Sequence, residues 1–135
     1  ADRATGFALG LVDGAQIVAQ RSCDFTRDGG RTAMADVIGE GVAFDGVFAG
    51  SDLVAIGAME AMAAAGLRPG VDVAVVGYDD IPAAAAHKPR LTTIHQDLTE
   101  AGRLLAAALL WRLDPERFDA PRTRSLPVTL VTRET

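Results

Sequence analysis

The order of apolar and polar positions along the chain predicts strands and helices in turn. Asp2 to Leu11, with Phe7, Leu9 and Leu11, reads as the end of a helix, and Gln16 to Gln20 as a short apolar strand. From a cap at Thr26 or Asp28, the residues Ala33, Met34, Val37 and Ile38 recur at helical spacing up to Gly39. Gly46 to Ala49 predicts a strand. Ser51 and Asp52 open a helix that runs to Ala65 and stops at Gly66, with Pro69 behind it. Val71 to Val76 predicts the central strand, Ile81 to His87 a short Ala-rich helix ended near Pro89, and Thr92 to His95 another strand. Asp97 to Leu113 is the longest predicted helix, Asp114 to Ser125 a loop or linker, and Leu126 to Thr132 a last strand. Strands separated by helices of roughly 10–15 residues predict βαβ units and a mainly parallel sheet.

The helix from Asp97 departs from an ordinary surface helix. Leu98, Ala101, Leu105, Leu109 and Leu113 mark one face, Leu110 widens it, and Leu104, Ala108 and Trp111 mark a second. A surface helix shows an apolar stripe of roughly 100°. This helix exceeds that and should be covered on more than one side.

Composition narrows the class. The chain of 135 residues suits one domain whose core is built from aliphatic residues, since aromatics make up 5%. Net charge is −5 and no basic stripe occurs, so binding to nucleic acid through this chain alone is not expected. Cys23 is the single cysteine; there is no intrachain disulfide framework, which fits a reducing compartment. No apolar run is long enough to span a membrane. The opening Ala-Asp-Arg-Ala fits either a mature secreted chain or a fragment.

The densest chemistry lies at Gly77-Tyr78-Asp79-Asp80, at the carboxyl end of the central strand. In an open α/β sheet this edge is where ligands bind, and two carboxylates there accept several hydroxyl hydrogen bonds. Asp79, nearer the strand tip, is favoured as a ligand contact; Asp80 can instead cap the helix that starts near Ile81. Paired carboxylates also bind Mg²⁺, but no third acidic ligand stands at a matching strand end, and Asp52 fits a helix start better. Ser51 can cap a helix and still offer its hydroxyl to a ligand. Phe25 follows Asp24 in a loop after a strand, where its ring either joins the core or stacks on a sugar or base. By composition Arg3 is a surface arginine. Cys23, His87 and His95 show no nucleophile–base or metal-helix spacing, and no Gly-rich phosphate loop is present. The pattern points away from an enzyme and predicts no nucleotide cofactor and no metal.

Several segments resemble lactose/galactose-repressor-type transcriptional regulators. Phe48-Ala49-Gly50-Ser51-Asp52-Leu53-Val54-Ala55-Ile56-Gly57-Ala58-Met59 is similar to their strand followed by Asn/Ser-Asp and x-x-Ala-x-Gly-Ala. Val73 to Asp80 is similar to their strand ending in Gly-Phe/Tyr-Asp-Asp/Asn, and Pro89-Arg90-Leu91-Thr92-Thr93-Ile94 with Gln96-Asp97 to their Pro-x-Leu-Thr-Thr-Ile/Val segment. Arg3-Ala4-Thr5-Gly6-Phe7 and Asp24-Phe25 match two upstream motifs, so the resemblance spans essentially the whole chain in order.

The resemblance implies a periplasmic-binding-protein-like α/β fold, with a three-layer, mainly parallel sheet and an effector held between two subdomains. It implies that only the carboxyl-terminal subdomain and a crossover helix are present: residues 1–95 in the subdomain, 96–124 in a crossover helix and linker packed on an absent amino-terminal subdomain, and 125–135 in a returning strand. The implied effector contacts are Arg3, Phe25, Ser51, Asp79 and Gln96, with Asp52 and Asp80 structural or secondary. Where the family often has Asn, this chain has Ser51, whose hydroxyl is shorter. The implied partners are a small-molecule effector, most often a sugar, a second copy in a homodimer, and operator DNA reached through an amino-terminal headpiece. The dimer would use Leu53 to Ala65 and Ala83 to His87, in the cytoplasm. The rival expectation is a secreted solute-binding protein of the same fold that serves a transporter.

Overall fold

A computed structural model describes residues 2–12, 14–114, 116 and 125–135. The elements run α1 (Asp2–Leu9), α2 (Arg27–Gly39), β1 (Gly46–Phe48), α3 (Asp52–Ala64), β2 (Ala74–Asp79), α4 (Pro82–Ala86), β3 (Thr92–Gln96), α5 (Leu98–Leu113) and β4 (Val128–Val131). The strands form one sheet in the order β1-β2-β3-β4, and β1 and β2 pair in parallel with Val47 opposite Val75. Two compact units result, Ala1–Ile94 with Leu130–Thr135, and His95–Thr129.

The first unit is organised around α3. Its caps are local: the Ser51 hydroxyl accepts the Val54 N–H, and Gly66 leaves the helix with φ +83. Between them the helix is apolar on nearly every side, with Met59 and Met62 fully buried beside Val75 and Leu91. Burial of each such side chain stabilises the fold by roughly 1.5–3 kcal/mol. The second helix lies against it closely enough for the backbones to touch. A Cβ on Gly57 would fall 1.9 Å from the Arg27 carbonyl oxygen, and one on Gly30 2.1 Å from that of Val54. These two glycines let α2 and α3 interlock. The chain end is stitched to β2 and β3: the Thr92 hydroxyl donates to the Thr135 carbonyl at 2.6 Å, and the Thr135 hydroxyl to that of Val75 at 2.7 Å.

The last strand is shorter than expected, Val128–Val131, and three other elements differ more tellingly from their sequence expectations. Residues 16–20 form no strand. A strand is stable only with a neighbour, and the nearest in sequence, β1, is three residues long; Ile17 and Val18 stay exposed while Ala19 packs on the core. The central strand begins at Ala74 instead of Val71, because Val71 and Asp72 lie in a turn whose N–H groups donate to the Arg68 carbonyl. It then continues to Asp79. The first helix ends at Leu9, two residues short of the expectation.

The second unit is dominated by α5, capped by the Asp97 carboxylate on the Glu100 N–H at 2.9 Å. None of its residues is buried, and Leu105, Leu109 and Leu113 are 61–72% exposed. Among the described residues no helix is long and apolar enough to cross a membrane.

Candidate ligand cleft

At the carboxyl end of β2 the backbone turns sharply. Asp79 has φ +111 and Asp80 φ +54, two consecutive non-glycine residues in left-handed conformations. Asp tolerates such angles better than most residues, yet each costs of order 1–3 kcal/mol and persists only where surroundings enforce it. The enforcement is visible. The Ile81 N–H donates to Asp52 Oδ2 at 2.9 Å, and the Thr93 hydroxyl donates to Asp52 Oδ1. Asp52 is fully buried. Gly77 leaves it room, since a Cβ there would lie 2.3 Å from Asp52 Oδ1. On the other side Asp80 forms an ion pair with Arg133, whose second nitrogen donates to the Leu91 carbonyl at 2.7 Å.

The corner delivers Asp79 to a cleft of about 1050 Å³ that is also lined by Arg3, Phe7, Phe25, Phe48 and Gly50. Arg3 projects from α1, donates to the Gly50 carbonyl, and lays its guanidinium 3.8 Å from the centroid of the Tyr78 ring. This cation–π contact and the carbonyl hold the arginine from two directions. Phe7 stacks on Phe48 with ring centroids 5.1 Å apart, giving the cleft an aromatic wall. Phe25, 65% exposed, rests over the bare Cα of Gly50. An exposed ring, a fixed guanidinium and a carboxylate in one cleft suit a neutral ring compound bearing several hydroxyls.

The structure thus brings three of the sequence-predicted residues, Arg3, Phe25 and Asp79, to one cleft. Ser51 is 6% exposed, with its oxygen engaged as the cap of α3. Gln96 is half-buried at the end of β3 and belongs to the second unit. Asp80 does not cap α4; the cap position is Ile81, which makes no side-chain cap hydrogen bond, and Asp80 turns to Arg133 instead. Asp52 sits in the first turn of α3, but its carboxylate reaches Thr93 and Ile81 outside that helix.

Burial pushes the Asp52 carboxyl above the usual carboxylate range; the Thr93 and Ile81 hydrogen bonds oppose the rise, and the charges of Asp79 and Asp80 add to it. Tyr78 and Thr93 stood in sequence motifs without a role, and Arg133 was not singled out at all. The only local signal was Gly77, since a glycine inside a strand marks close approach of another group. His87 bonds the Pro89 carbonyl through Nδ1 at 3.0 Å, and Cys23 is half-buried along the cleft. Among the described residues no His, Cys, Asp or Glu group stands where it could hold a metal ion.

A sheet whose β1 and β2 run parallel, with a largely apolar cleft that the Asp79 carboxylate enters at the carboxyl end of β2, fits a class of ligand-binding domain. The comparisons with known proteins agree. The family profile of the periplasmic binding protein-like domain matches residues 3–135. The chain belongs to that family and is similar to the effector domains of lactose/galactose-repressor-type regulators. It is 34% identical over 122 residues to the ribose operon repressor of Escherichia coli (strain K12), covering 90% of this chain and 36% of that protein. It superposes on the Lac repressor dimer bound to operator and an anti-inducer with a TM-score of 0.88 at 33% identity, covering 98% of this chain and 40% of the other. The complex of the regulator CelR with cellobiose gives a TM-score of 0.82 at 33% identity, covering 98% and 39%. The chain therefore spans between 36 and 40% of the length of these relatives.

Proposed function

We propose that the chain is the effector-sensing part of a bacterial DNA-binding transcriptional regulator and takes up a sugar in the cleft. The observation that carries this reading is the convergence of Arg3, Phe25 and Asp79 on one cleft in a chain of this family. Arg3 and Asp79 would hydrogen-bond ring hydroxyls while Phe25 stacks on the apolar face of the sugar. Ser51 and Gln96 complete the proposed contact set, Ser51 through its hydroxyl proton and Gln96 through its amide. The cellobiose bound to the relative CelR supports a sugar as the ligand class.

Sugar binding would act on operator affinity through its differential affinity for two conformations of the regulator. Operator contact falls to a separate DNA-binding segment, because the chain carries a net charge of −5. Assembly as a homodimer in the cytoplasm completes the proposal, with the dimeric Lac repressor as its support. A gel-shift assay of the full-length gene product on its own upstream DNA tests it. Ribose, lactose or cellobiose should change the bound fraction, and failure of the protein to bind that DNA at all would refute the regulator reading.

A further inference from the structure

We propose that Asp52 is the positioning residue for Asp79: its buried carboxylate fixes the left-handed Asp79–Asp80 corner from beneath. The inference rests on the reading of Asp79 as an effector contact and says what holds that contact in place. An acidic residue in the first turn of a helix ordinarily faces its own N–H groups or solvent. Asp52 does neither. The cap of α3 is Ser51, and both Asp52 oxygens are engaged outside the helix, one by the Ile81 N–H at 2.9 Å and one by the Thr93 hydroxyl.

Those two donors bracket the corner. Ile81 is the first residue after Asp80, so fixing its N–H fixes where the left-handed pair ends. Thr93, fully buried on β3, ties the same carboxylate to the strand beside β2. Gly77, two residues before Asp79, is open to Asp52 only because it lacks a side chain. Arg133 holds Asp80 from the far side, with both side chains at most 18% exposed. Without the carboxylate the corner loses its hold from beneath and keeps the Arg133 side. A relaxation toward ordinary negative φ would swing the Asp79 side chain away from Arg3 and Phe25.

Three variants of the full-length gene product test this: Asp52→Asn, Thr93→Val and Thr93→Ser. The Asn amide presents a donor where one of the two donors now points, while Val keeps the shape of Thr and removes the hydroxyl. Two readouts are taken, hydrogen exchange at the Ile81 amide and calorimetric affinity for ribose, lactose and cellobiose. Asp52→Asn and Thr93→Val should each speed exchange at Ile81 by roughly tenfold and weaken the bound sugar by a similar factor. Thr93→Ser should restore both, a rescue that a mere packing role of Thr93 would not produce. If Asp52→Asn does not fold, the Val and Ser pair decides alone. Unchanged exchange at Ile81 in Thr93→Val, or a Ser variant as impaired as Val, would overturn the proposal. If none of the three sugars binds the parent protein, the sugar reading fails, and exchange at Ile81 still decides whether Asp52 holds the corner.

Discussion

Replacing Gly57 by alanine pits two effects of opposite sign against each other. In a free helix interior the change would stabilise by about 1 kcal/mol, because glycine loses more backbone entropy than alanine on folding. In this structure the new Cβ would stand 1.9 Å from the Arg27 carbonyl oxygen and 2.8 Å from the Arg31 nitrogen. Real Cβ atoms essentially never approach closer than 3.0 Å, so α2 must retreat by about 1.1 Å along its line of contact with α3. The obstacle is backbone, which cannot swing aside as a side chain does, and the retreat loosens the packing of Met34 and Val37 on the core. Overpacking of this kind costs about 3 kcal/mol, at the upper end of its usual range, which leaves a net loss of about 2 kcal/mol. Gly39, also in α2, has nothing within 4 Å of its Cβ position and serves as the control, with an expected gain of about 0.5–1 kcal/mol. Urea unfolding followed by far-UV circular dichroism should place the two midpoints on opposite sides of the parent, Gly57→Ala lower by roughly 1 M. A Gly57→Ala protein as stable as the parent, or more so, would refute the close contact of α2 and α3.

Three further outcomes follow from the same geometry. Gly77→Ala should destabilise by roughly 2–4 kcal/mol in urea, since its Cβ would displace the buried Asp52 carboxylate and press on Leu91 at 2.9 Å; a neutral result would remove that close approach. The Arg68 guanidinium and N–H hold the Asp72 carboxyl at about 2, below its ordinary 3.8. Its contribution to stability is therefore full above 3.8 and is lost as the pH falls toward about 2, so carboxyl NMR should give a midpoint near 2 and Asp72→Asn should flatten stability in that window. Phe25→Ala should leave the unfolding free energy in urea within about 0.5 kcal/mol of the parent, because the ring is 65% exposed, while weakening sugar affinity in calorimetry by roughly tenfold; a core role would reverse the two effects.

The parts of the fold that were legible in the sequence are those with local causes. Thr26 and Ser51 cap α2 and α3 from three residues away, and Gly66 ends α3 by its own conformation. Asp97 likewise marks the start of α5. The segment 16–20 is apolar enough for a strand, but pairing is a property of the neighbour and not of the segment. The cleft was legible at Asp79 because a strand tip is a position read in sequence. What holds Asp79 was not. Asp80 meets Arg133 across 53 residues and Asp52 meets Thr93 across 41, and neither pair shares a helix or a turn that spacing could reveal. A Ser-Asp at a helix start reads as a cap with a dipole-matched acid, which describes Ser51 and misses Asp52.

Calorimetric titration of the full-length gene product with ribose, lactose and cellobiose, repeated on Asp79→Asn, bears most directly on the central claim. The account predicts that at least one of these sugars binds the parent and that Asp79→Asn weakens that sugar by at least about tenfold, with the urea midpoint kept. Sugar binding that survives Asp79→Asn unchanged would contradict it, because the corner at the end of β2 would then not present the ligand contact.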